Sequence, residues 1–291
     1  MIHTIENDVL AVKINEFGAE LYSITSKIDG TEFLWNGDER FWTGRAPILF
    51  PIVGKVKDGV YIHEDKSYKL DGHGFARRSA FELAKNDKTS ATFRLGYSEP
   101  TLKTYPFKFN FKARFSLEDN ILKTTYTVEN LDASEMYFSV GGHPAFNCPI
   151  RKGEEFTDYY IEFSENETVG TRVINEIGML ADETPPFLND ENIVKLSHKL
   201  FENGALVLSS FESDSVTLKS TKSSVSIRMN LANFPFFGIW TKYNAPFICL
   251  EPWYGLPDSP RFEGKLKDKI GILTLAPSKQ FECAYEVVFS V

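Results

Sequence analysis

Phe107-Lys108-Phe109-Asn110-Phe111-Lys112-Ala113-Arg114-Phe115-Ser116-Leu117, then Glu118-Asp119-Asn120, then Ile121 to Val128, is the stretch that decides the fold. Rings and Ala113 occupy every second position, with Lys108, Asn110, Lys112 and Arg114 between them. A period of two is the signature of a strand with one buried and one wet face, and the short polar break reads as a hairpin turn. The same pattern extends outward in both directions. Val9 to Ile14 and Glu20 to Thr25 alternate, Val60 to Leu70 folds around Glu64-Asp65-Lys66, and Ala80 to Leu95 folds around Lys85-Asn86-Asp87-Lys88. Further on, Ser215 to Lys219 and Ser224 to Met229 flank Thr221-Lys222-Ser223. Phe237 to Trp240, Phe247 to Leu250, Gly271 to Leu275 and Phe281 to Phe289 read as strands too. Short helices are expected only at Ser197 to Glu202 and from Leu188-Asn189 onward, and no long segment has a 3.6-residue period. About twenty short strands at close spacing predict an all-β chain built as a large antiparallel β-sandwich.

Composition agrees. The 291 residues include 25 Phe, 12 Tyr and 4 Trp, and aromatic rings favour strands. No Gly/Ser/Pro-rich linker, repeat or low-complexity tract divides the chain. Glu183-Thr184-Pro185-Pro186-Phe187 is too short and apolar to act as one, so residues 1–291 are read as a single domain. The formal net charge of −8 provides no positive field for nucleic acid or an anionic membrane. No segment approaches the ~20 apolar residues a membrane span requires. The N-terminus lacks a basic region followed by an apolar run, so no signal peptide is expected. Three widely spaced cysteines, Cys148, Cys249 and Cys283, suit buried free thiols in a reducing, cytoplasmic setting.

Several chemistries have no signature here. There is no phosphate-cradling G-x-x-x-x-G-K-[ST], no G-x-G-x-x-G between a strand and a helix, no H-E-x-x-H and no G-x-S-x-G. His63-Glu64-Asp65 reads as a solvated turn. Cys148 near His143 does not make a nucleophile pair from proximity alone. Instead, Gly, Pro, His and Arg break the alternation in three places: Gly44 to Gly54, Asp71-Gly72-His73-Gly74-Phe75-Ala76-Arg77, and Gly141-Gly142-His143-Pro144-Ala145-Phe146-Asn147. Glycine permits unusual backbone angles and proline fixes shape, so a His held between them is held in one orientation. His143 ends the apolar run Met136 to Val140, a position at which active-site residues are commonly displayed. His73 sits between two glycines. Each has a competing reading as a turn or core histidine satisfied by the backbone. Arg45 and Arg77 lie among apolar residues, as structural ion pairs or as binders of an anion or polyol. A fourth segment, Pro246 to Gly255, places Glu251 at the end of an apolar strand, followed by Trp253 and Tyr254. These rings either face a sugar or pack a sheet edge.

Taken in order, these blocks resemble the aldose 1-epimerase (galactose mutarotase-like) family. The match runs through Phe17-Gly18-Ala19-Glu20-Leu21, Phe33-Leu34-Trp35-Asn36-Gly37, R-x-P-x-L-F-P-x-x-G, H-G-F-A-R, G-G-H-P-A-F and C-L-E-P-W. The L-F-P and E-P-W forms are most similar to the lactose-operon (LacX-type) branch. H-G-F-A-R is also similar to the hexose-6-phosphate branch. The resemblance implies a β-supersandwich, a sugar or sugar phosphate as the small-molecule partner, and acid/base opening of the hemiacetal ring with no cofactor and no metal. It implies His143 as general acid, His73 as a second histidine in the same region, Arg45 and Arg77 at oxygen-binding positions, and Glu251 beside the pocket; Trp253, read from its own position after Glu251, is expected as a further substrate contact.

Two departures bear on catalysis. The resemblance places the general base in a P-G-E block, whereas this chain has Pro277-Ser278-Lys279, with Lys279 at the Glu position. Glu251 is then the substitute base, and Glu282 a weaker one. A pocket Asp expected in F-x-x-D-A-L corresponds to Gly204 in Phe201-Glu202-Asn203-Gly204-Ala205-Leu206. A non-catalytic carbohydrate-binding protein that retains the cleft is therefore the alternative expectation. A glycoside hydrolase would need two carboxylates about 5–10 Å apart across a cleft.

Overall fold

The computed structural model describes residues 1–175, 177–231 and 233–291. The aromatic hairpin forms as read. Phe109–Glu118 pairs antiparallel with Ile121–Asn130, in the register Ile121 to Glu118 through Asn130 to Phe109. Asp119 takes the positive φ of 48° that the tight turn demands. Phe109, Phe111, Ala113 and Phe115 are at most 1% exposed, and Phe111 stacks on Phe50 at 4.6 Å. Each such ring contributes about 1.5–3 kcal/mol of burial free energy, which makes this hairpin a main source of the core.

The hairpin lies inside a nine-stranded antiparallel sheet. Its strand order is Pro186–Lys195, Tyr159–Gly170, Ser215–Ser220, Ser226–Asn230, Gln280–Ser290, Ile121–Asn130, Phe109–Glu118, Ser90–Gly96 and Glu82–Asn86. A second, seven-stranded sheet runs Arg172–Ile174, Ala205–Ser209, Phe236–Trp240, Phe247–Tyr254, Val140–Gly142 and Ile48–Leu49, with Ala145–Asn147 also pairing with Phe247–Tyr254. The two sheets share one core. Phe109 and Phe111 come from the first, and Leu206, Leu208, Phe237, Ile239, Ile248 and Leu250 from the second. A three-stranded sheet, Ile2–Glu6, Leu10–Asn15 and Glu20–Ser26, adds Ile5, Val12 and Ile14 to that core.

Three local readings need correction. The segment from Leu188 onward is the strand Pro186–Lys195, not a helix. It is the edge of the large sheet, and its exposed run Asn189-Asp190-Glu191 follows the polar pattern that protects edges rather than the alternation of an interior strand. Ser197 to Glu202 shortens to a 3₁₀ turn, His198–Phe201. The α-helix Glu99–Thr104, capped by Ser98 and Thr101, was not expected because six residues are too few to show a period. Cys148, Cys249 and Cys283 are buried free thiols. Among the described residues no helix is long and apolar enough to cross a membrane.

Candidate active site

The smaller sheet has two faces, and the period of two along Phe247–Tyr254 assigns them. Ile248 and Leu250 point into the shared core, whereas Phe247, Cys249 and Trp253 pack in separate clusters on the opposite side. Glu251 lies in phase with that second set, opposite Gly238 on the neighbouring strand. A cleft of about 340 Å³ opens over this face, lined by His143, Glu251, His73, Arg77, Trp42 and Trp240, among others. That volume is in the range of small-molecule sites.

His143 follows the strand Val140–Gly142, and Pro144 turns the chain away. Its ring stacks on Trp42 at 5.0 Å and meets the edge of Trp240 at 5.7 Å. Its Nε2 is 3.2 Å from Glu251 Oε2, without hydrogen-bond alignment. His143 Nδ1 and Glu251 Oε2 are both buried and have no hydrogen-bond partner. Burial, reinforced by His73 and Arg77 nearby, holds the His143 imidazole well below its ordinary range. Burial likewise pushes the Glu251 carboxyl well above the usual carboxylate range, opposed only in part by the nearby Trp253 indole. Charge is disfavoured on both groups for the same reason, the loss of solvent around them.

His73 is 5.8 Å from His143, centroid to centroid. It adopts φ 64°, a left-handed conformation uncommon outside glycine and held only where the surroundings over-determine it. Here they do. The His73 N–H donates to Gly54 O at 2.7 Å, and the Gly54 N–H donates to His73 Nδ1 at 3.2 Å. An accepting Nδ1 places the proton of the neutral ring on Nε2. Burial first, then Arg77 and Lys55, lowers the His73 pKa to about 3. Arg77 donates from Nη2 to Gly72 O, while its Nε is buried without a partner. It lines the cleft and also an adjoining pocket of about 340 Å³ that contains Lys55, Arg78 and Asp71.

The structure thus brings together His143, His73, Glu251 and Arg77. It does not bring Arg45 to the cleft lining. The Arg45 guanidinium lies 3.8 Å from the centre of the Tyr22 ring and donates to Tyr22 O, while the Arg45 and Ala46 N–H groups donate to Glu20 Oε1. A cation on an aromatic face, tied to a carbonyl, anchors this loop to the N-terminal sheet. Trp253 is on the lining but only 1% exposed. Its ring fills the space left by two glycines: a Cβ on Gly141 or Gly238 would come within 2.6–2.7 Å of it. It packs the sheet and does not offer a stacking face. The open aromatic surface is Trp42 and Trp240, which sequence reasoning missed. The signal present was Phe41-Trp42 just before the Arg45 block.

Both departures resolve physically. Lys279 is exposed, its N–H bonded to Ala276 O and its carbonyl accepting from Asn130 N, and it does not line the cleft. It replaces no group in this site. Gly204 does line the cleft, but at φ +111°, and a Cβ there would lie 1.9 Å from Ile174 O. The backbone itself excludes an Asp. Among the described lining residues Glu251 is the one carboxylate, so the two-carboxylate geometry of a glycosidase is not present in this cleft. A larger groove of about 530 Å³, lined by Lys123, Arg228, Glu282 and Glu286, lies away from all of these groups.

This fold is that of an aldose-epimerase-type protein. The aldose 1-epimerase family model matches residues 1–261, and the chain belongs to that family. Two LacX proteins of Lactococcus lactis, chromosomal and plasmid, are each 34% identical over 97% of both chains. Among solved structures, a galactose mutarotase related enzyme from Lactobacillus acidophilus superposes with a TM-score of 0.95 at 34% identity, covering 100% of this chain and 98% of that one. A galactose mutarotase-like protein from Lactobacillus casei gives 0.94 at 33%, covering 100% of each.

Proposed function

We propose that this chain is an aldose 1-epimerase that interconverts the α and β anomers of a hexose or hexose phosphate, residues 1–291 acting as one unit. The observation that carries the proposal is the buried His143–Glu251 contact at 3.2 Å on the wall of a sugar-sized cleft. Mutarotation moves two protons at one carbon. The C1 hydroxyl loses a proton and the ring oxygen gains one, so the C1–O5 bond breaks and an aldehyde forms. Rotation about C1–C2 and the reverse transfers close the ring on the other face. Both oxygens are attached to C1, so one acid and one base at this separation can span them. His143 serves as acid toward the ring oxygen and Glu251 as base toward the C1 hydroxyl, with positioned groups of this kind contributing roughly 10²–10⁴-fold. His73, with Nε2–H directed by its bond from Gly54, donates to substrate oxygen, and Trp42 supplies an apolar face for sugar C–H groups.

Arg77 is shared with the neighbouring pocket, where Lys55 and Arg78 outnumber Asp71. That excess of cations favours a substrate with an anionic substituent. Nuclear magnetic resonance exchange measurements on free hexoses and their 6-phosphates, with wild type, His143→Asn and Glu251→Gln, test both statements. Acceleration by wild type and its loss in either variant is expected, with Arg77→Gln penalising the phosphate more than the free sugar. Rates equal to buffer for every sugar remove the catalytic reading. Saturable sugar binding without acceleration would then establish the non-catalytic binding protein instead.

A further inference from the structure

The cluster beneath the acid/base pair has a third member that proton transfer does not use. Cys249 precedes Glu251 by two residues, so the strand period puts its side chain on the same face. It is fully buried, packed with Trp35 and Phe247 under Trp42 and Trp240. One donor atom from each of His143, Cys249 and Glu251 lies within 4.8 Å of the other two. We propose that these three residues form a binding site for a divalent cation of the zinc class, and that its occupation withdraws His143 and Glu251 from proton transfer. The second half rests on the mutarotase reading, and the first half does not.

Geometry supports the site. Nitrogen and oxygen ligands at about 2.0–2.1 Å from a tetrahedral zinc are about 3.3 Å apart. His143 Nε2 and Glu251 Oε2 already stand 3.2 Å apart with no hydrogen bond holding them there. The Cys249 sulfur lies within 4.8 Å of both atoms, so it needs to close by no more than about 1 Å to complete the third corner. Three protein donors leave the fourth tetrahedral corner for water. Charge supports it as well. A buried thiolate and carboxylate are costly alone, but with a dication the site is neutral. Metal binding requires the thiolate and carboxylate forms, so any proton held by either group leaves as the dication enters. The donor set of imidazole, thiolate and carboxylate selects a borderline-soft ion over magnesium or calcium.

Cadmium titration of the full chain, read by the ultraviolet thiolate-to-metal charge-transfer band, tests the binding half. Wild type is expected to develop the band to one equivalent, and Cys249→Ala to develop none. Cys148 and Cys283 are present in both proteins, so any signal from them cancels in the comparison. Zinc is expected to inhibit anomer exchange competitively with sugar. Cys249→Ala, which leaves the cleft lining intact, should need about tenfold more zinc or beyond for the same inhibition. Cys249→Ser provides a near-isosteric second variant if the alanine protein does not fold. Absence of the band in wild type, or an undiminished band in Cys249→Ala, overturns the site. A band in a protein that accelerates no sugar's anomer exchange leaves the site standing and overturns the inhibitory role.

Discussion

Acidification provides a quantitative test of the environment around His73. In the folded chain its pKa is about 3, lowered by burial and by Arg77 and Lys55. In the unfolded chain an imidazole takes up its proton near pH 6.5. Between those values the unfolded state binds more protons, so stability falls as pH falls, and the contribution is intact only above the unfolded pKa. Each pH unit below about 6.5 removes ~1.4 kcal/mol, so moving from about pH 8 to about pH 5 removes ~2 kcal/mol through this one group. The endpoint lies two units above the folded pKa and above most carboxylate titration, so the figure is insensitive to the exact folded value. His73→Asn isolates it. Asparagine tolerates the left-handed φ of 64° better than most residues, and its Oδ1 can accept the Gly54 N–H as Nδ1 does, without titrating. Urea unfolding of both proteins at the two pH values is the assay. Wild type should lose about 2 kcal/mol relative to His73→Asn on acidification. Curves that stay parallel within about 0.5 kcal/mol would refute the claim that this ring is held neutral in the fold.

Other substitutions probe the two departures and the scaffold. Gly204→Asp should destabilise by about 3 kcal/mol or more, since it combines φ +111° with a Cβ overlapping Ile174 O, and calorimetric melting reads it. Lys279→Glu should change the anomer-exchange rate by less than about twofold, because an exposed residue outside the cleft contributes little. Asp258 and Lys269 form a buried ion pair at 2.6 Å, and Asp258 also accepts from Lys57 N, near the Gly54 that orients His73. Asp258→Asn or Lys269→Met alone should cost about 3–5 kcal/mol by stranding a buried partner, and the double variant should recover much of it in denaturant titration.

The hairpin Phe109–Glu118/Ile121–Asn130 was legible because its burial alternates residue by residue, and alternation survives in the sequence. The strand Pro186–Lys195 was not, because an exposed polar edge carries no such record. The site divides along similar lines. His143 and His73, singled out by the glycines and prolines that fix their backbone, and Glu251, singled out by its place at the end of an apolar strand, line one cleft. Arg45 was misplaced because an arginine beside apolar residues looks the same in sequence whether it meets a ligand or, as here, the Tyr22 ring. Trp253 lines the cleft, but its near-complete burial was not legible, because the two glycines that receive its ring, Gly141 and Gly238, are remote in sequence from it. Trp42 was missed because its stacking on His143 joins residues a hundred positions apart.

A carboxyl group acting as general base is ordinarily required to be ionised at rest. The environment of Glu251 removes that requirement. A neutral imidazole with a carboxylic acid and an imidazolium with a carboxylate contain the same number of protons and the same net charge. They differ in where one proton sits, and the low dielectric around two buried groups favours the uncharged arrangement. In the proposed reaction a pyranose in the cleft would bring hydroxyls into a site where Glu251 Oε2 and His143 Nδ1 lack partners. On the proposed mechanism, hydrogen bonds from those hydroxyls to the carboxylate would stabilise the ionic arrangement, the one that could protonate the ring oxygen and deprotonate the C1 hydroxyl. Substrate binding and activation of the pair are then one event, and the ionised base exists chiefly when there is a hemiacetal for it to act on.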